Sequence, residues 1–262
     1  MTGTTTTSLT GSSFVTVVIP TFNERDNLPD MLRELIALGP AYRMVVVDDN
    51  SPDGTGEVAD RIAAAHPGRI AVLHRPAKAG IGPAYIAGFE AALAGGAQRI
   101  ASMDADHSHA PLDLPRLVDA TSSHDLAIGS RYVAHGRTVG WPWYRRLLSR
   151  GGGLYARYLL GLAVSDPTSG FKVYRRDLLA NLDLPTVRAT GYGFTLELTH
   201  RAVHRGARTV EIPITFTERS RGRSKLSGRI ISEALWLVWR LRLERRRSPT
   251  GRLTRVMTWR RR

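Results

Sequence analysis

Acidic side chains stand in three short groups in the first half of the chain, and their types suit a cation-dependent reaction. Glu24 forms the first group, Asp48-Asp49 the second and Asp104-Ala105-Asp106 the third. Carboxylate oxygens are the ligands that Mg²⁺ and Mn²⁺ prefer, and these ions commonly share their coordination with substrate phosphates. The Asp-x-Asp pair therefore predicts a divalent cation, Mg²⁺ or Mn²⁺, shared with a diphosphate.

Hydrophobic periodicity predicts the elements that position these groups. Short β-branched runs alternate with amphipathic stretches, which predicts an α/β fold with a doubly wound, mostly parallel sheet. The acidic groups follow the first, second and fourth predicted strands, so they meet at the carboxyl edge, where such sheets bind ligands. The predicted strands are 15–20, 43–48, 70–74, 99–103 and 126–129, and the predicted helices are 27–38 (capped by Asn27), 55–65, 83–94 and 114–122.

Composition and missing motifs exclude several classes of protein. The chain has 262 residues, 42% of them hydrophobic, which is enough to bury a core. It has no cysteine, so disulfides, thiolate zinc sites and a cysteine nucleophile are excluded. The Gly-x-Gly-x-x-Gly pattern of dinucleotide sites and the phosphate-binding P-loop pattern are both missing after the first strand. No stretch has the length and hydropathy of a transmembrane helix.

The net charge of +14 is distributed unevenly along the chain. Residues 1–130 hold 9 Lys+Arg and 15 Asp+Glu, whereas residues 131–262 hold 28 and 8. From Arg240 to the end there are ten Arg and a single acidic residue, Glu244. An acidic half that holds a cation and a basic half that meets anions fit this asymmetry.

Ordered motifs over residues 14–230 resemble glycosyltransferase family 2 with the GT-A fold, and within it the polyprenol (dolichol) phosphate mannose synthases. The first motifs occur in many family-2 enzymes, and the later ones are typical of enzymes with polyprenyl-phosphate acceptors. The motifs are residues 18–24 (VIPTFNE), 47–55 (VDDNSPDGT), 103–109 (MDADHSH), 129–132 (GSRY) and 166–172 (DPTSGFK), and then Arg219 with Gly222, Ser224, Lys225 and Leu226.

The resemblance implies a role for each matched residue. Asp106 is the main metal ligand, with Ser108 at a position where some relatives have Gln, and His107 is a neutral substitution. Phe22 replaces a common Tyr and keeps only its apolar face. Asp104, Asp106 and Arg131 are the implied catalytic residues. The nucleotide-sugar is implied to contact Pro20, Phe22, Glu24, Val47, Asp49, Asp104, Ala105, Asp106, Arg219 and Lys225, and the acceptor phosphate Arg131, Arg145 and Ser149.

The implied reaction needs no conventional catalytic base. A lipid monophosphate has a second pKa near ~6, so it is largely dianionic at neutral pH and already nucleophilic. In-line attack would invert the sugar, moving mannose from GDP-mannose to a polyprenyl monophosphate. Three alternatives remain: a sister enzyme with another donor such as UDP-glucose, a nucleic-acid-binding protein that uses the Arg-rich tail, and a nucleotidylyltransferase. The strand-end carboxylates would repel nucleic acid, so no nucleic-acid partner is expected.

The C-terminal part suits attachment to a membrane surface. Residues 226–243 predict an amphipathic helix with Ile230, Ala234, Leu237 and Leu241 along one stripe and Trp236 and Trp239 beside it, flanked by Arg229, Arg240 and Arg242. A helix packed on the catalytic core is the equal alternative. The expected organisation is a disordered tail (1–13), a catalytic domain (14–228) and a membrane-proximal extension (229–262). We expect peripheral attachment to the cytoplasmic face of an anionic membrane, with a membrane-protein partner as a further candidate.

Overall fold

The computed structural model describes the backbone of residues 14–191, 193–218 and 228–247 and, in the last range, the side chains of residues 235–244. The expectations for residues 1–13, for Arg219 and Lys225, and for the tail after residue 247 concern residues outside these ranges. Among the described helices, none has the length and apolar character that a membrane span requires.

Strands and helices alternate along the chain as the periodicity predicts. The boundaries predicted for the first five strands and the first four helices lie within two residues of the observed ones, and the predicted helix 226–243 is observed over Gly228–Arg247. In chain order the elements are β1 (Val15–Thr21), α1 (Leu28–Ala37), β2 (Tyr42–Asp48), α2 (Thr55–Ala65), β3 (Ile70–His74), α3 (Ile81–Ala94), β4 (Arg99–Ser102), α4 (Leu114–Ala120), β5 (Leu126–Ser130), β6 (Arg137–Val139), α5 (Trp143–Leu160), β7 (Lys172–Arg175), α6 (Arg176–Ala180), α7 (Gly193–His204), β8 (Thr209–Pro213), β9 (Thr215–Thr217) and α8 (Gly228–Arg247).

Within the described ranges, seven strands form one sheet in the order β3-β2-β1-β4-β7-β5-β8. All of them run parallel except β7, which is antiparallel to both β4 and β5. This confirms the prediction of an α/β fold with a mostly parallel sheet. The strands β6 and β9 pair separately, in parallel. Because β7 runs backwards, the loop that precedes it reaches the same edge as the carboxyl ends of its neighbours.

Helices cover both faces of the sheet, so the central strands are buried throughout and read as β-branched runs. On one face α3 and α7 bury Tyr85, Phe89 and Phe194. On the other face α1, α2 and α4 pack against the sheet. A Cβ at Gly88 of α3 would overlap the side chain of Val18, so only glycine permits this close approach.

The predicted cap of α1 is wrong in its detail. Asn27 precedes the helix, but its backbone is helical and its side chain makes no cap hydrogen bond. Instead, Asn27 Nδ2 donates to Glu24 Oε2 at 2.7 Å. The carboxylate of Glu24 offers a stronger acceptor than solvent, so it draws the amide away from the helix end.

The helix α8 packs on α5 and α7. Leu237, Val238 and Leu241 are buried against Leu160 and Leu196. Two of the arginines expected to flank the helix turn toward the protein: Arg240 Nη2 is 2.9 Å from Glu197 Oε2, and Arg242 Nη1 donates to Leu159 O at 2.6 Å. The buried carboxylate and the free carbonyl at the end of α5 supply the acceptors that hold them.

Candidate active site

The residues expected to hold the base and ribose lie at the ends of β1 and β2. Pro20 and Val47 are register partners on these strands, which places Phe22, Glu24 and Asp49 just beyond them. The Lys78 ammonium lies 3.6 Å from the centroid of the Phe22 ring, a cation–π contact. The Glu24 N–H donates to Thr55 Oγ1 at 3.0 Å. The structure thus brings together the five residues expected to hold the base and ribose.

The two aspartates at the end of β2 have different roles. Asp48 is buried and accepts hydrogen bonds from Thr21 Oγ1 at 3.1 Å and from the Ser51 hydroxyl at 2.6 Å, so it closes the turn. Asp49 forms an ion pair with Arg75 and accepts the N–H groups of Ala79 at 3.2 Å and Gly80 at 3.3 Å. Asp49 therefore orders the segment that places Lys78 over the Phe22 ring.

Asp104 and Asp106 follow β4 on one loop. Asp104 Oδ1 accepts the Tyr85 hydroxyl at 2.9 Å, and burial, reinforced by Asp104, raises the pKa of Tyr85 well above its usual value. The hydroxyl is therefore a permanent donor. Asp106 is buried, and its Oδ1 accepts the Ser108 N–H at 3.1 Å. Both carboxylates are thus held in fixed orientations, with Ala105 buried between them.

These residues fit a cation shared with a substrate. No group of three or more His, Cys, Asp or Glu in the described ranges is arranged to hold a metal ion by itself. Mg²⁺ is usually bound by one or two carboxylates together with substrate phosphates and waters, rather than by an all-protein cage. Two oriented carboxylates meet that requirement. His107 Nε2 lies 3.2 Å from Asn27 O.

Arg131 follows β5 and is almost fully buried in a fork-to-fork pair with Asp166. Arg131 Nε and Nη2 donate to the two Asp166 oxygens at 2.7 and 2.6 Å, and Nη2 also reaches Thr168 Oγ1 at 3.1 Å. Burial alone would raise the pKa of Asp166, but the charge and hydrogen bonds of Arg131 hold it below the usual value. The pair is therefore ionised at neutral pH.

Arg145 and Ser149, the other residues expected to grip the acceptor, lie beside Arg131. The Arg145 guanidinium is 4.3 Å from the centroid of the Trp141 ring, and the Arg131 guanidinium is 5.6 Å from the same ring. Arg145 forms an ion pair with Glu218. Ser149 Oγ accepts the Tyr132 hydroxyl at 2.6 Å. We call Arg131, Tyr132, Trp141, Arg145 and Ser149 the basic cluster.

The basic cluster adjoins the acidic edge. The His109 ring packs 5.0 Å from Phe216, which in turn lies 5.3 Å from the Arg131 guanidinium. On its other side, His109 Nε2 is 4.0 Å from Asp104 Oδ2. Burial lowers the pKa of His109 to about 4, with Arg131 reinforcing the shift and Asp106 opposing it. A neutral imidazole therefore separates the carboxylates from the guanidinium.

Several residues of the site carry no assigned role in the sequence analysis. Asp166 and Thr168 belong to the motif of residues 166–172, so the sequence does indicate that they lie near the site. Arg75 and Tyr85 give no signal, because their partners are 26 and 19 residues distant in sequence. Arg219 and Lys225 were expected to close over the diphosphate, and both fall outside the described ranges.

An apolar surface flanks the basic cluster. Trp143 and Tyr158 of α5 are 75% and 87% exposed, and Trp236 and Trp239 of α8 are also exposed. Trp143 and Tyr158 share one face of α5 at helical spacing, and Trp236 and Trp239 lie on α8, which packs on α5. We call this the α5–α8 apolar surface; its members are Trp143, Leu147, Leu154, Tyr158, Trp236, Trp239 and Leu243.

Comparison with known proteins places this geometry in a family. The sequence model described as "Glycosyl transferase family 2" matches residues 16–183. Polyprenol monophosphomannose synthase of Mycolicibacterium smegmatis is 50% identical over 86% of this chain and 86% of its own. Undecaprenyl-phosphate mannosyltransferase of Micrococcus luteus is 48% identical over 86% of this chain and 93% of its own.

A more distant relative and a solved structure extend the comparison. Dolichol-phosphate mannosyltransferase of Pyrococcus furiosus is 37% identical over 87% of this chain and 63% of its own. Glucosyl-3-phosphoglycerate synthase of Mycobacterium tuberculosis, solved with Mn²⁺, UDP-glucose and phosphoglyceric acid, superposes with a TM-score of 0.61 at 20% identity, over 88% of this chain and 80% of that one. At that identity the likeness concerns the fold. The chain belongs to glycosyltransferase family 2.

Proposed function

We propose that the protein transfers mannose from GDP-mannose to the phosphate of a polyprenyl monophosphate, with inversion, giving a polyprenyl β-mannosyl phosphate and GDP. The observation that carries this proposal is the junction of the acidic edge with the basic cluster across His109. Two relatives near 50% identity, named for mannosyl transfer to polyprenyl phosphates, support the choice of sugar and acceptor.

In the donor half, the residues bind and orient. Pro20, Phe22, Glu24, Val47 and Asp49 would enclose the base and ribose. Asp104 and Asp106, with Ala105, would line the diphosphate and hold Mg²⁺ or Mn²⁺ with help from Ser108. When bound, that cation neutralises charge on the departing diphosphate. Arg219 and Lys225 would add positive charge to the same group.

In the acceptor half, the residues hold the nucleophile. Arg131, Arg145 and Ser149 would bind the acceptor phosphate and aim one oxygen at the sugar C1. The bond from that oxygen to C1 forms as the bond from C1 to the diphosphate oxygen breaks, and the electron pair leaves with GDP. A dianionic acceptor has no proton to lose, so neutral His109 is not required as a base.

A lipid acceptor requires access to a membrane. We propose that the α5–α8 apolar surface, next to the basic cluster, lies in the headgroup region of an anionic bilayer on its cytoplasmic face. Arginines near such a surface contribute about 1 kcal/mol each, so the Arg-rich tail adds salt-sensitive attraction. The exposed tryptophans are typical of interfacial contact.

A donor panel tests the reaction. The full chain, with Mg²⁺ or Mn²⁺, is assayed with GDP-mannose, UDP-glucose and GDP-glucose against a polyprenyl monophosphate in anionic vesicles. We expect turnover with GDP-mannose and a β-linked product by NMR. Preference for UDP-glucose would assign the chain to the alternative donor. No turnover with any donor and this acceptor would refute the assigned acceptor class.

A vesicle assay tests the attachment. We expect the double variant Trp143→Gln/Trp239→Gln and removal of residues 248–262 each to weaken binding to anionic vesicles, the truncation losing more of the salt dependence. Leu112→Gln is the matched control, because Leu112 is 78% exposed but lies outside the α5–α8 apolar surface. If both test variants bind vesicles as well as the wild type does, attachment must depend on a protein partner instead. Loss of turnover by the truncated chain with a short, water-soluble acceptor would assign the tail to the catalytic fold.

A further inference from the structure

Lys172, the first residue of β7, is a buried charged group for which the reaction has no use. Its side chain is 0% exposed. Its Nζ donates to Pro167 O at 3.2 Å and to Thr195 O at 2.9 Å. The lysine therefore ties the loop 166–171 to α7. A buried lysine without a carboxylate in direct contact is uncommon, and its retention calls for a physical role.

The loop that Lys172 holds is the one that grips Arg131. The Pro167 carbonyl also accepts the Thr199 hydroxyl at 3.1 Å, and the Ser169 hydroxyl donates to Gly129 O at 2.6 Å. Asp166, one residue before Pro167, makes the bidentate pair with Arg131. A shift of this loop would therefore move the guanidinium expected to bind the acceptor phosphate.

The charges around Lys172 are nearly balanced. Burial lowers its pKa to about 7, with Asp166 opposing the shift and Arg131 adding to it. Behind the loop, the Glu211 carboxylate accepts the N–H groups of Ser165 and Asp166 at 2.6 and 2.9 Å.

The other titratable groups packed near the loop lie on α7 and beside Arg131. The helix α7 presents the neutral Thr195 and Thr199 to the loop, while its Glu197 is paired with Arg201 and Arg240, and it also bears His200. His109, near Arg131, is neutral at pH 7. Near neutral pH, gain or loss of the Lys172 proton thus changes the net charge beside Arg131 by one unit.

We propose that Lys172 is a positioning residue for the acceptor phosphate, which holds the Asp166 loop and takes up a proton from solvent when the phosphate dianion binds beside Arg131. This rests on the proposed function. An unprotonated amine keeps two N–H donors, enough for its two carbonyl partners, so the hydrogen bonds persist in both charge states. The added proton offsets part of the negative charge that Asp166 and the incoming phosphate dianion place near Arg131.

Proton linkage tests this directly. Binding of a short-chain isoprenyl phosphate to the full chain is measured by calorimetry at about pH 7.5 in two buffers of different ionisation enthalpy. We expect the wild type to take up about half a proton more than Lys172→Met. Thr199→Val is the matched control: it removes a neutral hydrogen bond to the same Pro167 carbonyl and should keep the proton uptake of the wild type.

Lys172→Arg keeps the charge at every pH and covers the case in which Lys172→Met fails to fold. The ratio of the acceptor KM of the wild type to that of Lys172→Arg should rise about three- to tenfold from about pH 6.5 to about pH 8.5. Ionisation of the phosphate itself cancels in this ratio. The donor KM ratio should stay flat.

The outcomes separate the two proposals. If the wild type binds and uses the phosphate but Lys172→Met shows the same proton balance, or the KM ratio to Lys172→Arg is flat, Lys172 is merely structural. If Thr199→Val loses the proton uptake as well, the loop and not the lysine carries the linkage, and the proposal fails. If the wild type neither binds nor uses the phosphate, both proposals fail together.

Discussion

The donor half and the acceptor half of the site are held in opposite ways. On the acidic edge, Asp104 and Asp106 are oriented by neutral donors, the Tyr85 hydroxyl and a backbone N–H. In the basic cluster, Arg131 and Arg145 are each paired with a carboxylate, from Asp166 and Glu218. Neutral hydrogen-bond donors thus help to orient the two carboxylates, whereas ion pairs orient the two arginines.

The contrast has a consequence for ligand binding. A cation at the acidic edge would meet carboxylates that are oriented in part by neutral hydrogen-bond donors. An acceptor phosphate must instead share guanidinium groups that are already paired with carboxylates. Its binding free energy therefore depends on the surrounding charge. Substitutions in the donor half should therefore act through geometry and cation binding, and those in the acceptor half through charge balance.

The largest effect should come from Asp106. Asp106→Ala removes the proposed main cation ligand, so we expect turnover to fall by roughly 10³-fold or more, comparable with the loss of preorganised charge stabilisation in other enzymes. Circular dichroism should remain native, and Mn²⁺ binding measured by electron paramagnetic resonance should weaken. Full wild-type activity in excess chelator would contradict a metal-dependent donor half.

Arg131→Lys should have the next largest effect. Lysine keeps the charge but cannot form the two parallel hydrogen bonds to Asp166, so we expect a loss of about 2–4 kcal/mol in transition-state stabilisation, measured as kcat/KM for the acceptor. Asp166→Asn keeps the shape of the partner of Arg131 and removes its negative charge. Comparison of the two variants therefore separates the effect of hydrogen-bond geometry from the effect of charge. Unchanged acceptor kinetics in Arg131→Lys would give Arg131 a purely structural role.

Tyr85→Phe probes the neutral donor that orients Asp104. The ring would keep its stacking on Phe194, 5.7 Å between centroids, so the fold should survive. Loss of a hydrogen bond to a charged group costs about 1.5–3 kcal/mol of binding free energy, which predicts roughly tenfold or greater weakening of Mn²⁺ and donor binding. The acceptor KM should stay within about twofold. An equal loss on both substrates would show that the two halves are not held independently.

The smallest effect should follow Phe22→Tyr. This substitution restores the hydroxyl expected from the family while keeping the ring under Lys78. A solvent-facing hydroxyl contributes little, so we expect the donor KM to change by about twofold or less. A change of tenfold or more in the donor KM would show that the hydroxyl contacts the nucleotide.

How far the sequence predicts this molecule depends on how local each feature is. The strands β1 to β5 are predictable because buried β-branched runs carry their own signal, and strand-end carboxylates follow from the sheet. The strand β7 gives a weaker signal, because its first and last residues, Lys172 and Arg175, are charged although Lys172 is buried. The Asp166 partner of Arg131 is 35 residues away, and the inward turn of Arg240 depends on Glu197, 43 residues away. Such pairings are decided by packing.

The antiparallel strand β7 also affects how this chain folds during its synthesis. The outer edge of β4 stays open until Lys172–Arg175 has been made, and the Ser102 to Gly170 hydrogen bond spans 68 residues. During that interval the outer edge of β4 displays unpaired N–H and C=O groups, a usual template for intermolecular pairing. Synthesis of β7 therefore covers this edge in the same step that brings the Asp166 loop to Arg131.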